Sequence, residues 1–210
     1  NQAGDATYAP VAFGQIQNVL KATAVITLAD LSQNYTGSGI AGSATTVPPG
    51  LIVSIQYDGD AILPTDPGSY VVYAEIIDDN YQGSATGTLV ITDNTAPVAD
   101  VTTLTNATGE CSVTPVTPTA TDNFDGAITG TTTTIFPITS QGTTVVTWTY
   151  TDASSNVSSQ TQNVVINDVT APIADVATLS NVTNECSVGT LTAPTATDNC
   201  GGTVTVTNNA

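Results

Sequence analysis

Basic side chains are almost absent from this chain. Its 210 residues include 18 acidic residues, a single lysine (Lys21), no arginine and no histidine, and the net charge is -17. A phosphate backbone or an anionic membrane surface is bound through Lys and Arg, so this balance argues against nucleic acid and against direct membrane binding. An acidic surface instead suits a secreted or cation-binding protein.

The same scarcity removes most catalytic chemistry. Without histidine, serine-triad and cysteine–histidine mechanisms lack their base, and the three cysteines do not have the spacing of a zinc site. A pair of carboxylates, as in glycosidases, is the remaining arrangement. The one adjacent acidic pair, Asp78 and Asp79, would point to opposite faces of a strand. We therefore expect a non-catalytic protein.

Long apolar runs and helical periodicity are also absent. No run approaches the roughly 18 residues of a membrane helix. Threonine and valine are abundant instead, and both favour β-strands. No signal peptide is visible, so we interpret the sequence as an interior part of a longer extracellular chain.

A repeat organises the second half of the chain. NTAPVAD at 94–100 returns as VTAPIAD at 169–175, and TATDNFDG at 119–126 returns as TATDNCGG at 195–202. The offset is 75 residues at the first of these motifs and 76 at the second, so the second copy carries one inserted residue. A period of this length corresponds to one small β-domain rather than to a solenoid rung.

The first copy has the strand pattern of an immunoglobulin-like β-sandwich. TTVVTWTY at 143–150 alternates, which predicts that Val146, Trp148 and Tyr150 face the core. The polar DASSN at 152–156 predicts a turn, after which a partner strand returns. The expected fold class is all-β, with tandem immunoglobulin-like sandwiches in a linear string.

The first half has a different pattern, with strands expected at 51–58, 69–77 and 84–92 between turn signals such as Asp58-Gly59. We divide the chain into four parts. These are the terminal strand or strands of a preceding module (1–20, with a strand over 11–20), a β-domain (21–93), a β-sandwich (94–168) and the N-terminal part of a second repeat (169–210).

Two families are similar to these stretches. KATAVITLADLSQNYTG at 21–37 and the strands after it resemble MBG-type repeats of large bacterial surface proteins. Residues 94–210 resemble hyalin-type (HYR) repeats through Thr-Ala-Pro at 95–97, Thr-Asp-Asn at 121–123 and the Tyr-x-Asp-x-x-x-Asn turn at 150–156. The combination is most similar to giant gliding-motility adhesins of the SprB type. The resemblance implies β-modules strung end to end outside the cell, with no catalysis in the repeats.

The three cysteines occupy the repeat unequally. Cys111 and Cys186 are equivalent, whereas the counterpart of Cys200 in the first copy is Phe124. The HYR resemblance implies that Cys186 pairs with Cys200, and a disulfide closing so short a loop stabilises by roughly 3 kcal/mol. Cys111 is then expected to be a buried free thiol against the Phe124 ring. The alternative is an intermolecular disulfide through Cys111.

Carboxylates and amides gather at the module junctions and in the repeated Thr-Asp-Asn loop. Calcium binds six to eight oxygens of these kinds, so they are candidate calcium ligands. The alternative is turn chemistry, because Asp and Asn also stabilise turns. Asp125 is replaced by Gly201 in the second copy, so the copies are not expected to bind alike. The candidates are Asp93, Asn94, Asp100, Asp122, Asn123, Asp125, Asp168, Asp175, Asp198 and Asn199.

Together these features predict a stalk segment of a long extracellular filamentous adhesin on a bacterial cell surface, for adhesion or gliding motility. Its partners would be neighbouring modules of the same chain and, through a tip not present here, an external surface or glycan. Two alternatives stay open. One is a carbohydrate- or ice-binding module, with the threonine row at 131–134 as the binding face. The other is an accessory β-module of a secreted polysaccharide-degrading enzyme.

Overall fold

Strands account for all regular structure in residues 20–207, which are the residues that the computed structural model describes. These residues contain no helix, as expected from the sequence. The described part of the chain therefore has no helix that could cross a membrane. The terminal strand expected over 11–20 lies outside the described residues, apart from Leu20. The chain divides into two compact units after Thr92, and both repeat copies belong to the second unit.

The first unit contains a four-stranded sheet in the order β3-β8-β6-β5, an antiparallel pair of β2 with β4 and a parallel pair of β1 with β7. The strand bounds are β1 (Ala22–Thr23), β2 (Val25–Ala29), β3 (Ser32–Asn34), β4 (Ser43–Val47), β5 (Val53–Tyr57), β6 (Gly68–Ile76), β7 (Tyr81–Gln82) and β8 (Ser84–Thr92).

Alternation places the core of this unit. In β6, Val72, Ala74 and Ile76 are buried while the residues between them face outward, as the period of a strand requires. Strand β8 matches its predicted bounds, and β5 and β6 match theirs to within two residues. The predicted Asp58-Gly59 turn is present, with positive φ angles of 51° and 88° at its two central residues.

The second unit contains a β10-β14-β13 sheet, a β12-β11-β9 sheet and a short antiparallel pair of β15 with β16. The strand bounds are β9 (Val98–Ala99), β10 (Ala107–Gly109), β11 (Thr119–Asp122), β12 (Gly126–Thr129), β13 (Gly142–Thr151), β14 (Val157–Ile166), β15 (Ile173–Ala174) and β16 (Ala196–Thr197). The expected all-β class of tandem sandwich modules is confirmed.

The hairpin of β13 and β14 provides most of the core of the first copy. Val146, Trp148 and Tyr150 are almost completely buried, as predicted, and pack with Val164 and Ile166 from the partner strand. The predicted turn at 152–156 joins the two strands. Strand β10 runs parallel to the end of β14, and this brings the residues just after Gly109 to the place where the first copy ends.

The second copy begins as the first one does. Ala174 lies opposite Ala196 in the β15–β16 pair, just as Ala99 lies opposite Ala120 in the β9–β11 pair. The repeat seen in the sequence is therefore also a repeat of strand register.

Candidate functional site

Four carboxylates meet in the second unit. Asp93, Asp122, Asp125 and Asp152 each bring one oxygen into a group whose members all lie within 4.8 Å of one another. Asp93, Asp122 and Asp152 are buried, and Asp125 is half-buried. We call these four residues the carboxylate cluster.

Three separate segments supply the carboxylate cluster. Asp93 directly follows β8 and is the first residue of the second unit. Asp122 ends β11, and Asp125 lies in the short turn to β12. Asp152 comes immediately after β13, in the turn of the long hairpin. A strand end and two turns therefore converge at this place.

Backbone donors fix the orientation of the buried carboxylates of Asp122 and Asp93. Asp122 Oδ1 accepts from the N–H groups of Phe124 (2.8 Å) and Asp125 (2.9 Å). Asp93 Oδ1 accepts from the Thr95 N–H at 3.1 Å. In both residues Oδ1 accepts from backbone N–H groups of the turn, and Oδ2 takes no part in these bonds.

The two turns are also bonded to each other. The Ala153 N–H donates to Asp125 Oδ2 at 2.7 Å. Asn156 donates its backbone N–H to Asp152 Oδ1 at 2.7 Å and its amide to Asp152 Oδ2 at 2.8 Å. The same amide reaches the Asp93 carbonyl oxygen at 3.1 Å. The positions of the four carboxylates thus follow from a common hydrogen-bond network.

Two oxygens of the carboxylate cluster have no partner among the described residues. Asp93 Oδ2 and Asp122 Oδ2 are buried and accept no hydrogen bond. Buried polar atoms in proteins are nearly always bonded, so an orphaned pair needs a specific cause. Desolvation raises the pKa of Asp122, but backbone donors from Asp125, Phe124 and Asn123 outweigh it and hold that pKa below its usual value. The Asp122 side chain therefore stays anionic near neutral pH.

The cluster agrees with the sequence prediction in part. Asp93, Asp122 and Asp125 were candidate ligands and lie together. Asp152 was missed because its segment was interpreted only as a turn. Asn94 and Asn123 are exposed neighbours of the cluster, and their role as ligands stays a prediction.

Asp100 and Asp175 are not members of the carboxylate cluster. The Asp100 carboxylate accepts from the hydroxyls of Thr119 (2.5 Å) and Thr121 (2.6 Å). Asp175 accepts in the same way from Thr197, at 2.6 Å. The Thr119 and Thr121 hydroxyls lower the pKa of Asp100, and the Thr195 and Thr197 hydroxyls lower the pKa of Asp175. Both residues hold the first strands of their repeat together.

The second copy holds a smaller version of the cluster. Asp168 and Asp198, the counterparts of Asp93 and Asp122, again lie close together, with the Cys200 sulfur beside them. That sulfur is in a disulfide, and Gly201 stands where the first copy has Asp125. The second copy therefore lacks the counterpart of Asp125, and unequal binding by the two copies stays a prediction.

The disulfide joins Cys111 to Cys200, with a Cα–Cα distance of 4.8 Å and a sequence separation of 89. The predicted pairing of Cys186 with Cys200 is therefore wrong, and Cys186 is free and exposed. The expectation of Cys111 as a free thiol against Phe124 is wrong as well. The physical cause is that β10 pairs with the last residues of β14, which places Cys111 beside the point where the second copy begins.

Glu110 reinforces this connection between the copies. Its Oε2 accepts from the Thr170 hydroxyl and from the Asn199 amide, each at 2.8 Å. The backbone N–H of Asp168 donates to the Gln141 side chain at 2.9 Å. Asn199, a predicted calcium ligand, is thus engaged at the connection between the copies. Glu110, Cys111, Thr170 and Asn199, together with Cys200, form what we call the inter-repeat clasp.

Alkylation of the oxidised protein is expected to label one cysteine, Cys186, under native conditions. The same single label is expected after denaturation without reductant, because Cys111 and Cys200 are joined. Reduction should then expose all three thiols. Peptide mapping checks this result, and a label on Cys111 with Cys186 protected would restore the pairing expected from the sequence.

Comparison with known proteins identifies one module. Residues 24–95 match the family model of the MBG domain, which confirms the MBG-type module expected in the first half. No curated protein matches the chain. The resemblance of residues 94–210 to HYR repeats, and of the whole to SprB-type adhesins, stays a prediction.

Three solved structures have low similarity to the chain. A protocadherin gammaB7 EC3-6 cis-dimer structure is 14% identical over 75% of this chain and 54% of that one, with a TM-score of 0.29. The protocadherin gammaB4 extracellular domain is 13% identical over 75% and 36%, with a TM-score of 0.31. The SGBP-B protein of the Bacteroides ovatus mixed-linkage glucan utilization locus, in complex with a mixed-linkage heptasaccharide, is 13% identical over 66% and 43%, with a TM-score of 0.26. The chain spans about half of the first structure and less of the others.

Proposed function

We propose that this chain is a non-catalytic stalk segment of a long extracellular filament, a cell-surface adhesin of the kind used in bacterial adhesion or gliding. The observation that carries the proposal is the inter-repeat clasp. Its disulfide does not close a loop within one copy but joins Cys111 of the first copy to Cys200 of the second. A tether of this kind has its main use where a string of modules is pulled along its length.

Composition supports the same proposal. Disulfides persist in oxidising compartments outside the cytoplasm, which fits a surface location. The net charge of -17 keeps neighbouring filaments apart and discourages pairing between exposed strand edges. An MBG-type module followed by two copies of another repeat is also the layout of a chain that gains reach by adding modules.

Single-molecule pulling of the whole chain tests the mechanical part of the proposal. While the disulfide is intact, the 89-residue loop between Cys111 and Cys200 cannot extend. Adding a reductant should lengthen the fully stretched chain by about 300 Å, at roughly 3.3–3.6 Å per residue. The Cys186→Ser variant serves as the control and should show the same difference. Equal lengths with and without reductant would show that the clasp does not limit extension.

Immunogold labelling of intact source cells tests the location. Antibodies raised against the chain are expected to mark filaments outside the cell envelope, with the gold particles at a distance from the envelope. Label confined to the cell interior would overturn the proposal.

Carbohydrate binding is the second candidate function. Thr131, Thr132 and Thr133 line a shallow depression together with Thr147 and Thr149 of β13. Hydroxyl rows of this kind offer hydrogen bonds to sugar rings. A glycan array probed with the isolated chain distinguishes the two functions, because a stalk segment is expected to bind no glycan. Binding that is lost in a Thr147→Val, Thr149→Val double variant would favour the carbohydrate-binding module.

A further inference from the structure

We infer that the carboxylate cluster of Asp93, Asp122, Asp125 and Asp152 is a calcium-binding site. The inference goes beyond the stalk function and does not depend on it. It begins with charge. Carboxylate oxygens within 4.8 Å of one another repel strongly, and more so where three of the side chains are buried. A bound cation removes this cost.

The protein supplies no cation of its own for this purpose. Lys21 is the one basic side chain of the chain, and its Nζ donates to the Asp78 carbonyl oxygen in the first unit, at 2.7 Å. The amide of Asn156 and several backbone N–H groups reach single oxygens of the cluster, but they do not balance four negative charges. The compensating charge therefore has to come from solution.

The orphaned oxygens show where that charge would sit. Asp93 is 95% buried and Asp122 is 96% buried, since their exposed fractions are 5% and 4%. In each, Oδ1 is held by a backbone donor, whereas Oδ2 has no partner in the described part of the chain. Turn chemistry explains the first oxygen of each residue but leaves the second without a function. A metal ion explains both.

The donor set selects the kind of metal. All four side chains offer oxygen, and the described residues place no histidine and no cysteine among them. Hard cations prefer such ligands, whereas zinc and copper prefer nitrogen and sulfur. Magnesium keeps several waters and demands a strict octahedron, while calcium accepts many carboxylate oxygens in flexible geometry. Three buried carboxylates in one group therefore favour calcium.

Binding would tie together three places in the chain. Asp93 is the first residue after β8, Asp122 and Asp125 flank the β11–β12 turn, and Asp152 begins the β13–β14 turn. A calcium ion held by all four would fix the start of the second unit to both turns. The second copy has Gly201 in place of Asp125 and is therefore expected to bind calcium more weakly.

Calorimetric titration of the whole chain with calcium chloride, after removal of metal with a chelator, tests the inference. We expect one site per chain. At a hundredfold excess over Kd, the melting transition of the second unit should rise by roughly 10 °C. Magnesium chloride at the same concentration should give a smaller shift. No binding and no shift for the unaltered chain would overturn the site, and equal responses to the two metals would overturn the assignment to calcium.

Two substitutions separate a ligand role from a structural one. Asp152→Asn and Asp122→Asn keep Oδ1 as an acceptor for the turn and remove one charge from the cluster. Each should weaken calcium binding at least ~10-fold, because affinity follows the charge of the ligands. In chelator, Asp122→Asn should melt at the same temperature as the unaltered chain or higher, since repulsion falls. Asp152→Asn also loses the hydrogen bond from the Asn156 amide to Oδ2, so it is judged on calcium affinity alone. For Asp122→Asn, weaker calcium binding together with an unchanged or higher melting temperature in chelator is not expected of a residue that only stabilises a turn.

Asp79→Asn is the matched control, because it removes the same charge from an exposed position in the first unit. It should leave the Kd for calcium unchanged. If Asp152→Asn does not fold because its turn is lost, Asp122→Asn decides the question. Calcium binding that is the same in the unaltered chain, in the control and in Asp122→Asn would place the ion elsewhere and overturn the inference.

Discussion

Replacing Cys200 with Ser is expected to detach the second repeat copy from the first. In residues 169–207 the regular structure is limited to β15 and β16, and most side chains there are exposed, so packing contributes little to the attachment. A disulfide between cysteines with a sequence separation of 89 restricts the unfolded chain by an amount equivalent to roughly 4.5 kcal/mol. After its loss, the Glu110 bonds to Thr170 and Asn199 would remain, and exposed hydrogen bonds of this kind contribute about 0.5–1.5 kcal/mol each.

Limited proteolysis with a protease that cleaves after large apolar residues measures this effect. Cleavage at the exposed Leu179 and Leu191 should become much faster in Cys200→Ser, while the β13–β14 hairpin stays resistant. Cys186→Ser is the matched control, because it removes an exposed thiol that forms no disulfide. Equal cleavage rates in both variants and in the unaltered chain would show that contacts other than the disulfide attach the second copy.

Replacing Trp148 with Ala is expected to lower the free energy of unfolding of the second unit by about 3–5 kcal/mol. Trp148 is 2% exposed, and its ring lies 5.9 Å from that of Phe136. Its Nε1–H donates to Gln162 Oε1 at 3.1 Å, and the Gln162 amide donates in turn to the Thr105 carbonyl oxygen at 2.9 Å. The substitution therefore opens a cavity and leaves a buried amide oxygen without its donor.

Val145→Ala is the control for this prediction. Val145 lies on the same strand but is 60% exposed, so its truncation should change the free energy of unfolding by less than about 0.5 kcal/mol. Denaturant unfolding gives the change in free energy of unfolding for each variant. Circular dichroism follows both variants, and tryptophan fluorescence follows Val145→Ala, which keeps the one tryptophan of the chain. Similar losses for both variants would contradict the assignment of Trp148 to the core.

Alternating patterns made the strands predictable. Strands β8 and β13 follow from large apolar residues at every second position, because burial of one face requires this period. These residues are Leu89 and Ile91 in β8 and Val146, Trp148 and Tyr150 in β13. Tyr150 could be assigned to the core on this basis, and it is fully buried. The short strands β9, β10, β15 and β16 have no such pattern, since two or three residues carry too little periodicity to detect.

The cysteine pairing could not be predicted in the same way. The HYR resemblance implied that Cys186 pairs with Cys200, and the short loop between them was consistent with that pairing. The actual partner of Cys200 is set by β10, which runs parallel to β14 and carries Cys111 to the end of its repeat. A parallel pairing between distant strands leaves no local mark in the sequence.

Asp152 shows a similar limit at the carboxylate cluster. The motif of Asp122 and Asp125 is visible because it recurs in part at Asp198. Asp152 lies in a segment whose small polar residues fully account for a turn. Asp152 also belongs to the carboxylate cluster, because its turn contacts the β11–β12 turn. The hydrogen bond from the Ala153 N–H to Asp125 Oδ2 joins the two turns, and no spacing in the sequence predicts it.

The exchange of Phe124 for Cys200 makes the two copies non-interchangeable. The clasp needs a thiol at this position in the later copy and one at Cys111 in the earlier copy, while residues 1–92 contain no cysteine. If recombination exchanged the two loops, a cysteine at position 124 would find no partner in residues 1–92. A phenylalanine at position 200 would remove the partner of Cys111. The order of the two copies therefore matters. The residue at this position is Cys200 where the preceding module offers a cysteine and Phe124 where it does not.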